Sequence, residues 1–266
     1  MIGIFDSGVG GLSVWKELVK LLPRQRYIYV SDSGYCPYGP KSKEYIIDRC
    51  SKISQFIINE GADIIVVACN TATAAAIKTL RTEFSIPFVG MEPAVKPAAL
   101  HSKSGVIGVL ATKGTFKGEL YIGTLQKFAS DIKVLEQIGE GLVEIVEQGK
   151  TDTPQAEKLL RTYVEPMLQA GADHIVLGCT HYPFLADIVS KIAGEAVAVV
   201  NPAPAIAKRT LDLLQEIGHE TDDTNGNNVF YTTGQNLILL KDMVKSIVKE
   251  CGVDTGRINS YKAVSI

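Results

Sequence analysis

Two cysteines occupy equivalent positions in an internal repeat of the sequence. Residues 61–69 read Gly-Ala-Asp-Ile-Ile-Val-Val-Ala-Cys, and residues 171–179 read Gly-Ala-Asp-His-Ile-Val-Leu-Gly-Cys, at a constant offset of 110 residues. A fainter match relates the segment that begins at Ile2 to the one that begins at Ile107. Such self-similarity indicates two copies of one α/β unit. Cys69 and Cys179 are therefore expected to hold corresponding places in two related halves.

The residues around both cysteines are those of a strand that ends and a helix that begins. Each thiol closes an apolar run, and polar residues follow it: Asn70-Thr71 in the first copy and Thr180-His181 in the second. Ligands of open parallel sheets bind at the carboxyl ends of the strands, and a helix N-terminus lowers the pKa of a thiol. Two buried structural cysteines are the alternative, but their equivalent positions favour a functional pair of reactive thiols.

The remaining cysteines show no sign of a metal or disulfide framework. Cys50 and Cys251 fall on apolar stripes of predicted helices, where core packing is expected, and Cys36 lies in a loop. No pair has C-x-x-C spacing, and no Cys/His cluster has the spacing of zinc ligands. The sequence thus predicts reduced thiols and no metal site.

A glycine-rich loop follows the first predicted strand, in the order Asp6-Ser7-Gly8-Val9-Gly10-Gly11. Its glycines let backbone N–H groups approach an anion, and Asp6 could either transfer a proton or cap the next helix. The dinucleotide fingerprint would need glycine where Ser13 stands. Asp32, after the next strand, could contact a ribose, so a non-catalytic nucleotide-binding module remains an open alternative.

Three further residues are interpreted individually. The segment 36–40, Cys-Pro-Tyr-Gly-Pro, is expected to be a rigid turn that exposes the phenol of Tyr38. His181 lies two residues after the second repeat cysteine and could tune it. Glu147 is interpreted from the sequence alone as an exposed helix residue.

Composition and periodicity place these residues in a soluble α/β protein. The chain has 266 residues, 46% hydrophobic and 21% charged, with a net charge of −2, which argues against non-specific nucleic-acid binding. No window of 18 apolar residues suggests a membrane span, and the start of the chain reads as a strand rather than a signal peptide, so a cytoplasmic location is expected.

Apolar runs alternate with helical patterns, which predicts parallel βαβ units. The predicted strands are 2–5, 27–31, 64–68, 86–90, 106–110, 132–136, 174–178, 196–200 and 228–232, and the predicted helices are 11–22, 42–60, 72–84, 92–101, 115–129, 139–149, 154–170, 183–193, 202–217 and 235–251.

The repeat predicts two pseudosymmetric α/β domains with mainly parallel sheets. The last strand and helix follow both copies and can complete either half, which makes one domain discontinuous. We assign residues 1–93 and 207–266 to the first domain and residues 94–206 to the second.

Four motifs together carry a resemblance to a known family. They are 5–12, Phe-Asp-Ser-Gly-Val-Gly-Gly-Leu; 37–39, Pro-Tyr-Gly; 68–72, Ala-Cys-Asn-Thr-Ala; and 178–183, Gly-Cys-Thr-His-Tyr-Pro. With these intervals the chain resembles the glutamate racemases of the cofactor-independent aspartate/glutamate racemase superfamily. It departs from their pattern at Thr73, where Ser or Ala is more usual, and at Asn201-Pro202, where an acidic pair is expected.

The resemblance implies a role for each matching residue. Cys69 and Cys179 would be the catalytic thiols, the first for D-glutamate and the second for L-glutamate, with Asp6, Glu147 and His181 assisting proton transfer. The substrate would lie between the two domains, in a shell formed by Asp6, Ser7, Tyr38, Gly39, Asn70, Thr71, Thr180 and His181.

The resemblance also implies a cellular role. The product, D-glutamate, would supply peptidoglycan synthesis, and no cofactor is implied. The expected partner is the small-molecule substrate, without nucleic acid or membrane, and a homodimer is allowed. Aspartate racemase of the same superfamily is the alternative within this class.

Overall fold

The computed structural model describes residues 1–219, 228–252 and 258–266 of the chain. Its strands are β1 Ile2–Asp6, β2 Tyr27–Ser31, β3 Ile64–Val67, β4 Phe88–Gly90, β5 Val106–Ala111, β6 Lys133–Ile138, β7 His174–Gly178, β8 Ala198–Val200, β9 Asn228–Thr232 and β10 Ile258–Ala263. Its helices are α1 Leu12–Leu21, α2 Lys43–Asn59, α3 Asn70–Glu83, α4 Val95–His101, α5 Lys113–Phe116, α6 Glu119–Phe128, α7 Leu142–Glu147, α8 Pro154–Gln169, α9 Ala186–Ala193, α10 Ala203–Glu216 and α11 Leu237–Cys251.

Three elements differ from the sequence-based prediction. The predicted helix 115–129 is two helices, α5 and α6, and the predicted helix 183–193 begins as a short 3₁₀ turn at Tyr182–Leu185 before α9. Strand β10 was not predicted at all. It pairs only with β9, at the edge of its sheet, and an edge strand of mixed polarity carries no continuous apolar run.

The strands form two parallel sheets that repeat one topology. The first sheet has the order β10-β9-β2-β1-β3-β4 and the second has the order β6-β5-β7-β8. In both, the first strand of the copy lies between its second and third strands, and every pairing is parallel. The α/β fold class with two related, parallel halves is therefore confirmed.

The repeat extends to the packing of helices on the sheets. A Cβ atom at Gly3 of β1 would lie 2.2 Å from Ile57 of α2, and a Cβ atom at Gly108 of β5 would lie 2.4 Å from Met167 of α8. Such separations are far below van der Waals contact, so both strands need glycine where their helix crosses closely. The same sterics thus operate in both copies.

One hydrophobic core joins the two sheets. It combines apolar side chains of β1, β2 and β3 with those of β7, α7 and α8, while separate clusters cover the outer faces. Cys50 is fully buried, as expected, but Cys251 is only half-buried against the core. Cys251 was expected in the core and is only partly buried there, because it is the last residue of α11.

The division into domains stays a prediction. The first sheet is built from residues on both sides of the second, as a discontinuous first domain requires. The boundary assigned at 206/207 falls inside α10, which packs against α1. Within the described ranges, no helix combines the length and apolarity that a membrane crossing would need.

Candidate active site

The carboxyl ends of β1, β3 and β7 meet at the junction of the two sheets. Asp6 ends β1, Cys69 lies two residues beyond β3, and Cys179 directly follows β7. The two cysteines are 5% and 6% exposed. Thr180 Oγ1 donates a hydrogen bond to Asp6 Oδ1 at 3.3 Å, and Ser13 Oγ donates to the Thr180 carbonyl at 2.9 Å. Hydrogen bonds between the halves therefore bring the sequence-predicted residues together in one buried site.

Asp6 holds the glycine-rich loop and also lies in the site. Its Oδ2 atom accepts hydrogen bonds from the backbone N–H groups of Gly8 at 3.2 Å and Gly11 at 3.0 Å. Burial raises the pKa of this carboxyl above its ordinary value, and the nearby charge of Glu147 adds to the shift, while His181 opposes it. A carboxyl with a raised pKa is a better proton acceptor than an ordinary aspartate. Capping of the loop and a role in proton transfer are thus compatible.

Cys69 is the N-cap of α3 and is a neutral thiol in the free protein. Its sulfur accepts a hydrogen bond from the Ala72 N–H at 3.4 Å, and its S–H donates to Ser7 Oγ at 3.7 Å. Burial raises the pKa of Cys69 well above its ordinary value, and the charge of Asp6 raises it further. The expected lowering by the helix N-terminus is therefore wrong for this thiol, because desolvation outweighs the single N–H donor.

Cys179 is accompanied by an imidazole rather than by a carboxylate. His181 Nδ1 lies 3.8 Å from Cys179 Sγ, and His181 Nε2 lies 2.7 Å from Glu147 Oε1. Burial opposes protonation of His181, but hydrogen bonds to Cys179, Cys36 and Glu147 outweigh it and raise the pKa well above its ordinary value. Since a raised histidine pKa means a protonated ring at neutral pH, His181 is an imidazolium.

Glu147 is not the exposed helix residue that the sequence alone suggested. Its side chain is 17% exposed, and Oε1 also accepts the Val9 N–H at 2.7 Å. Helix α7 ends against the glycine-rich loop, so its last residue faces the site. The contact joins residues 138 positions apart, and local periodicity carries no information on such a pairing.

The residues expected to bind substrate line the same junction. Ser7, Asn70, Thr71 and Thr180 are all buried. Neither the oxygen nor the nitrogen of the Asn70 side-chain amide has a hydrogen-bond partner within the described residues. A buried amide without a partner is costly, so Asn70 is equipped to bind a polar ligand.

Thr112 belongs to the site but was missed in the sequence analysis. It follows β5, and its Oγ1 lies 2.8 Å from Thr71 Oγ1. The fainter part of the repeat aligns Thr112 with Ser7, so the repeat itself carried the signal. The pair of threonines is a second hydrogen-bonded link between the halves.

The Tyr38-Gly39 loop does not present the Tyr38 phenol to solvent, contrary to the prediction. Tyr38 is buried, and its hydroxyl donates to Asp32 Oδ2 at 2.5 Å, so the expected exposed phenol is wrong. Two guanidinium nitrogens of Arg49 donate to the same carboxylate at 3.1 and 2.6 Å. Asp32 is therefore buried and engaged, which leaves it unsuited to bind a ribose. Gly39 of this loop approaches the second half, facing Thr112.

A cavity of about 510 Å³ lies beside this loop. Gly39 and Thr112 are part of its wall, and three lysines, Lys41, Lys113 and Lys117, also line it. Positive side chains attract small anions to a cleft. Glu140 and Glu144 also line the cavity, so its wall carries charges of both signs.

The two departures from the family pattern have structural roles. Thr73 is buried, its hydroxyl donates to the Val67 carbonyl at 3.1 Å, and it accepts the Met91 N–H at 2.8 Å. Asn201 accepts the Ala203 N–H at 3.0 Å at the start of α10. Both stabilise local backbone rather than contact the thiols.

One group of side chains in the described part of the chain could hold a metal ion. Cys36, Glu147 and His181 place their ligand atoms within 4.8 Å of one another. Sequence spacing did not reveal this group, because its members come from three distant segments.

Comparisons with known proteins agree with this geometry. Residues 2–210 match the family model described as Asp/Glu/Hydantoin racemase. A glutamate racemase of Ectopseudomonas mendocina is 49% identical over 214 residues, which cover 80% of this chain and 81% of that protein. The structure of Escherichia coli glutamate racemase, in complex with L-glutamate and the activator UDP-MurNAc-ala, is 31% identical with a TM-score of 0.86 and covers 99% of this chain and 97% of that one. The structure of glutamate racemase from Francisella tularensis, in complex with D-glutamate, is 27% identical with a TM-score of 0.81 and covers 99% and 97%. The resemblance drawn from the motifs is thereby confirmed, and the chain belongs to the Asp/Glu/Hydantoin racemase family.

Proposed function

We propose that the chain interconverts L-glutamate and D-glutamate by proton transfer between two thiols. The observation that carries this proposal is the pair Cys69 and Cys179, placed at equivalent strand ends of a repeated α/β unit that meet in one buried site. Racemisation removes the α-proton from one face and returns a proton to the other, and one acid–base group on each face is the direct solution. The similarity to glutamate racemases favours glutamate over aspartate.

On the first face, Cys69 takes the α-proton of D-glutamate. Because the pKa of this thiol is raised, it must first give its own proton to a neighbour, and Asp6, whose pKa is also raised, is the acceptor. Cys69 then accepts the α-proton as a thiolate. Asp6 then releases its proton to solvent, so Cys69 and Asp6 return to their starting states after each turnover.

On the second face, Cys179 delivers its proton to the α-carbon and becomes a thiolate. The protonated ring of His181, at 3.8 Å from the sulfur, then supplies a proton to it. Glu147 holds the opposite ring nitrogen and stabilises the imidazolium. His181 then regains a proton from solvent. In the reverse direction the neutral form of His181 accepts the Cys179 proton, the resulting thiolate takes the α-proton of L-glutamate, and Cys69 delivers its own proton and is reprotonated through Asp6.

The two carboxylates and the ammonium group of the substrate are bound by three hydroxyls, by the Asn70 amide and by the backbone at Tyr38-Gly39. The hydroxyls are those of Ser7, Thr71 and Thr180. The free amide of Asn70 supports this assignment, since its oxygen and nitrogen can accept from an ammonium and donate to a carboxylate. Hydrogen-bond donors held in place before the reaction stabilise the charge that develops as the α-proton leaves.

The reaction needs no cofactor, because both proton transfers use side chains of the chain. Activity is expected to survive EDTA, which removes metals, and hydroxylamine, which traps carbonyl cofactors. We further propose a cytoplasmic enzyme, where thiols stay reduced, whose D-glutamate supplies peptidoglycan synthesis, and which acts as a monomer or a homodimer.

The test is circular dichroism of L-glutamate and of D-glutamate incubated with the purified protein. Both signals are expected to decay to zero as the racemic mixture forms, while L- and D-aspartate keep their signals. A protein that leaves glutamate unchanged and racemises aspartate would move the proposal to the aspartate racemases. Tight binding of ATP or NAD without any turnover would support a nucleotide-binding module instead.

A further inference from the structure

Three side chains with different metal-binding atoms converge at the edge of the proposed active site. Cys36 follows the 3₁₀ turn Ser33–Tyr35, Glu147 ends α7, and His181 precedes the 3₁₀ turn Tyr182–Leu185. Their ligand atoms lie within 4.8 Å of one another. All face the glycine-rich loop, where a Cβ atom at Gly8 would lie 1.9 Å from Glu147 Oε1 and 3.2 Å from Cys36 Sγ. Glycine at this position therefore leaves space for the cluster.

A thiolate, an imidazole and a carboxylate form a ligand set typical of zinc. Tetrahedral coordination at the usual Zn–S, Zn–N and Zn–O lengths separates neighbouring ligand atoms by about 3.4 to 3.8 Å. His181 Nε2 and Glu147 Oε1, now 2.7 Å apart, would have to separate by roughly 1 Å, and Cys36 Sγ would have to approach them by up to about 1 Å. Rotamer adjustments can supply both movements. Cys179 Sγ faces the other ring nitrogen, Nδ1, at 3.8 Å, so the fourth position of an ion at Nε2 would be left to solvent or substrate.

Access and charge also favour a cation here. Cys36 is half-buried and Glu147 is partly exposed, so an ion can enter from solvent without opening the core. Besides burial, the charge of Glu147 raises the pKa of Asp6, and the charges of both carboxylates raise the pKa of the Cys36 thiol. Both carboxylates therefore lie near the cluster. Two negatively charged carboxylates near the position of the ion stabilise a bound divalent cation.

We propose that Cys36, Glu147 and His181 form a binding site for a thiophilic divalent cation, Zn²⁺ above all, and that occupation of this site inhibits racemisation. The inhibition rests on the proposed function, whereas the binding does not. A cation bound to His181 takes the place of the ring's proton, so the ring can no longer exchange a proton with Cys179.

Binding has a defined proton balance. Burial raises the pKa of the Cys36 thiol to about 11, so the free thiol carries its proton at neutral pH. A thiol that coordinates a metal ion is deprotonated. One Zn²⁺ therefore replaces the proton of Cys36 and the proton of His181, and both pass to solvent; no electron is transferred.

The binding test uses Co²⁺ as a spectroscopic probe and Zn²⁺ in competition with a chromogenic chelator. Wild-type protein is expected to bind one ion per chain and to show the near-ultraviolet charge-transfer absorption of a cobalt–thiolate bond, which excess Zn²⁺ abolishes. Mg²⁺ should not compete, because it prefers oxygen ligands. Cys36→Ser should weaken Zn²⁺ binding at least tenfold and remove most of the absorption, and Glu147→Gln should weaken binding as well. Cys251→Ser, which changes another half-buried cysteine far from the cluster in sequence, is the matched control and should bind as wild type does.

The inhibition test measures racemisation with added Zn²⁺ and again after excess EDTA. Wild type should lose activity and regain it, and Cys36→Ser should need at least tenfold more Zn²⁺ for the same loss. If Cys36→Ser binds and is inhibited as wild type is, the ion uses the two catalytic thiols alone and the proposed site is wrong. If Cys36→Ser does not fold, the binding affinity of Glu147→Gln decides the question by itself. Metal binding by a protein without racemase activity would refute the proposed function and leave the cation site in place.

Discussion

The two cysteines share a backbone position but not a chemical environment. Cys69 lies beside Asp6 and Ser7, and burial keeps it a neutral thiol. Cys179 lies beside His181, which is protonated and held by Glu147. The repeat aligns Asp6 with Ala111, so the second copy has no carboxylate at this position. Duplication of the α/β unit thus explains where the thiols are, while side chains that differ between the copies, Asp6 and His181, give each thiol a different neighbour.

Loss of either thiol is expected to have the largest effect. Cys69→Ser and Cys179→Ser should each lower kcat for both enantiomers by about 10²-fold or more, since a serine hydroxyl is a far weaker acid than a thiol. The losses should not multiply in the double variant, because the two groups act as one unit. Circular dichroism assays measure the rates, and Cys251→Ser is the control. Near wild-type activity in Cys179→Ser would leave the second copy without a catalytic role.

The neighbours of the thiols should affect the two directions differently. Asp6→Asn removes the group that accepts the proton of Cys69, whereas His181→Asn removes the group that exchanges a proton with Cys179 in both directions. Each should lower kcat by about 10²-fold, in the range of general acid–base catalysis. Deprotonation of D-glutamate should become more rate-limiting in Asp6→Asn, and that of L-glutamate in His181→Asn.

Kinetic isotope effects on α-deuterated substrates separate these outcomes. Asp6→Asn should increase the effect on D-glutamate relative to L-glutamate, and His181→Asn should do the reverse. Equal changes in both directions would mean that the neighbours support the site as a whole rather than one face each.

A smaller effect is expected from Glu147→Gln. The substituted side chain can still accept the Val9 N–H, but it no longer carries the charge that stabilises the protonated His181. We expect a loss of kcat of about tenfold, which corresponds to roughly 1.4 kcal/mol, with KM little changed. Glu144→Gln, one turn earlier on α7, is the control. A large increase in KM with unchanged kcat would instead place Glu147 in substrate binding.

Much of this organisation could be predicted from the sequence, and the predictions that failed did so for physical reasons. Apolar runs and helical stripes located nine strands, and the repeat with its polar strand ends located Cys69 and Cys179. Glu147 was misjudged from local sequence because its partner Val9 lies 138 positions away along the chain. Tyr38 was misjudged because its hydroxyl turns inward to the buried Asp32, a contact that only the folded loop creates. The direction of the Cys69 pKa shift was wrong because burial, which depends on the assembled fold, outweighs the local helix N-terminus.

The smallest expected effect concerns stability and again compares equivalent residues of the repeat. Asp173 accepts hydrogen bonds from Ser102 Oγ, Lys103 N and Ser104 N at 2.6 to 2.8 Å and is 21% exposed. Its counterpart Asp63 pairs with the amino terminus and is 52% exposed.

Burial opposes ionisation of Asp173, but its hydrogen bonds outweigh burial and lower its pKa below the ordinary value of 3.8. A carboxyl whose folded pKa is depressed contributes stability that is fully present above the unfolded pKa and is lost as the pH falls towards the folded one. Asp173→Asn should therefore cost about 1 to 2 kcal/mol of unfolding free energy at pH 7, and less below pH 3.8. Asp63→Asn should change it by no more than about 0.5 kcal/mol. Urea denaturation at pH 7 and pH 3 measures both variants, and equal costs would show that the two turns are stabilised alike despite their different hydrogen bonds.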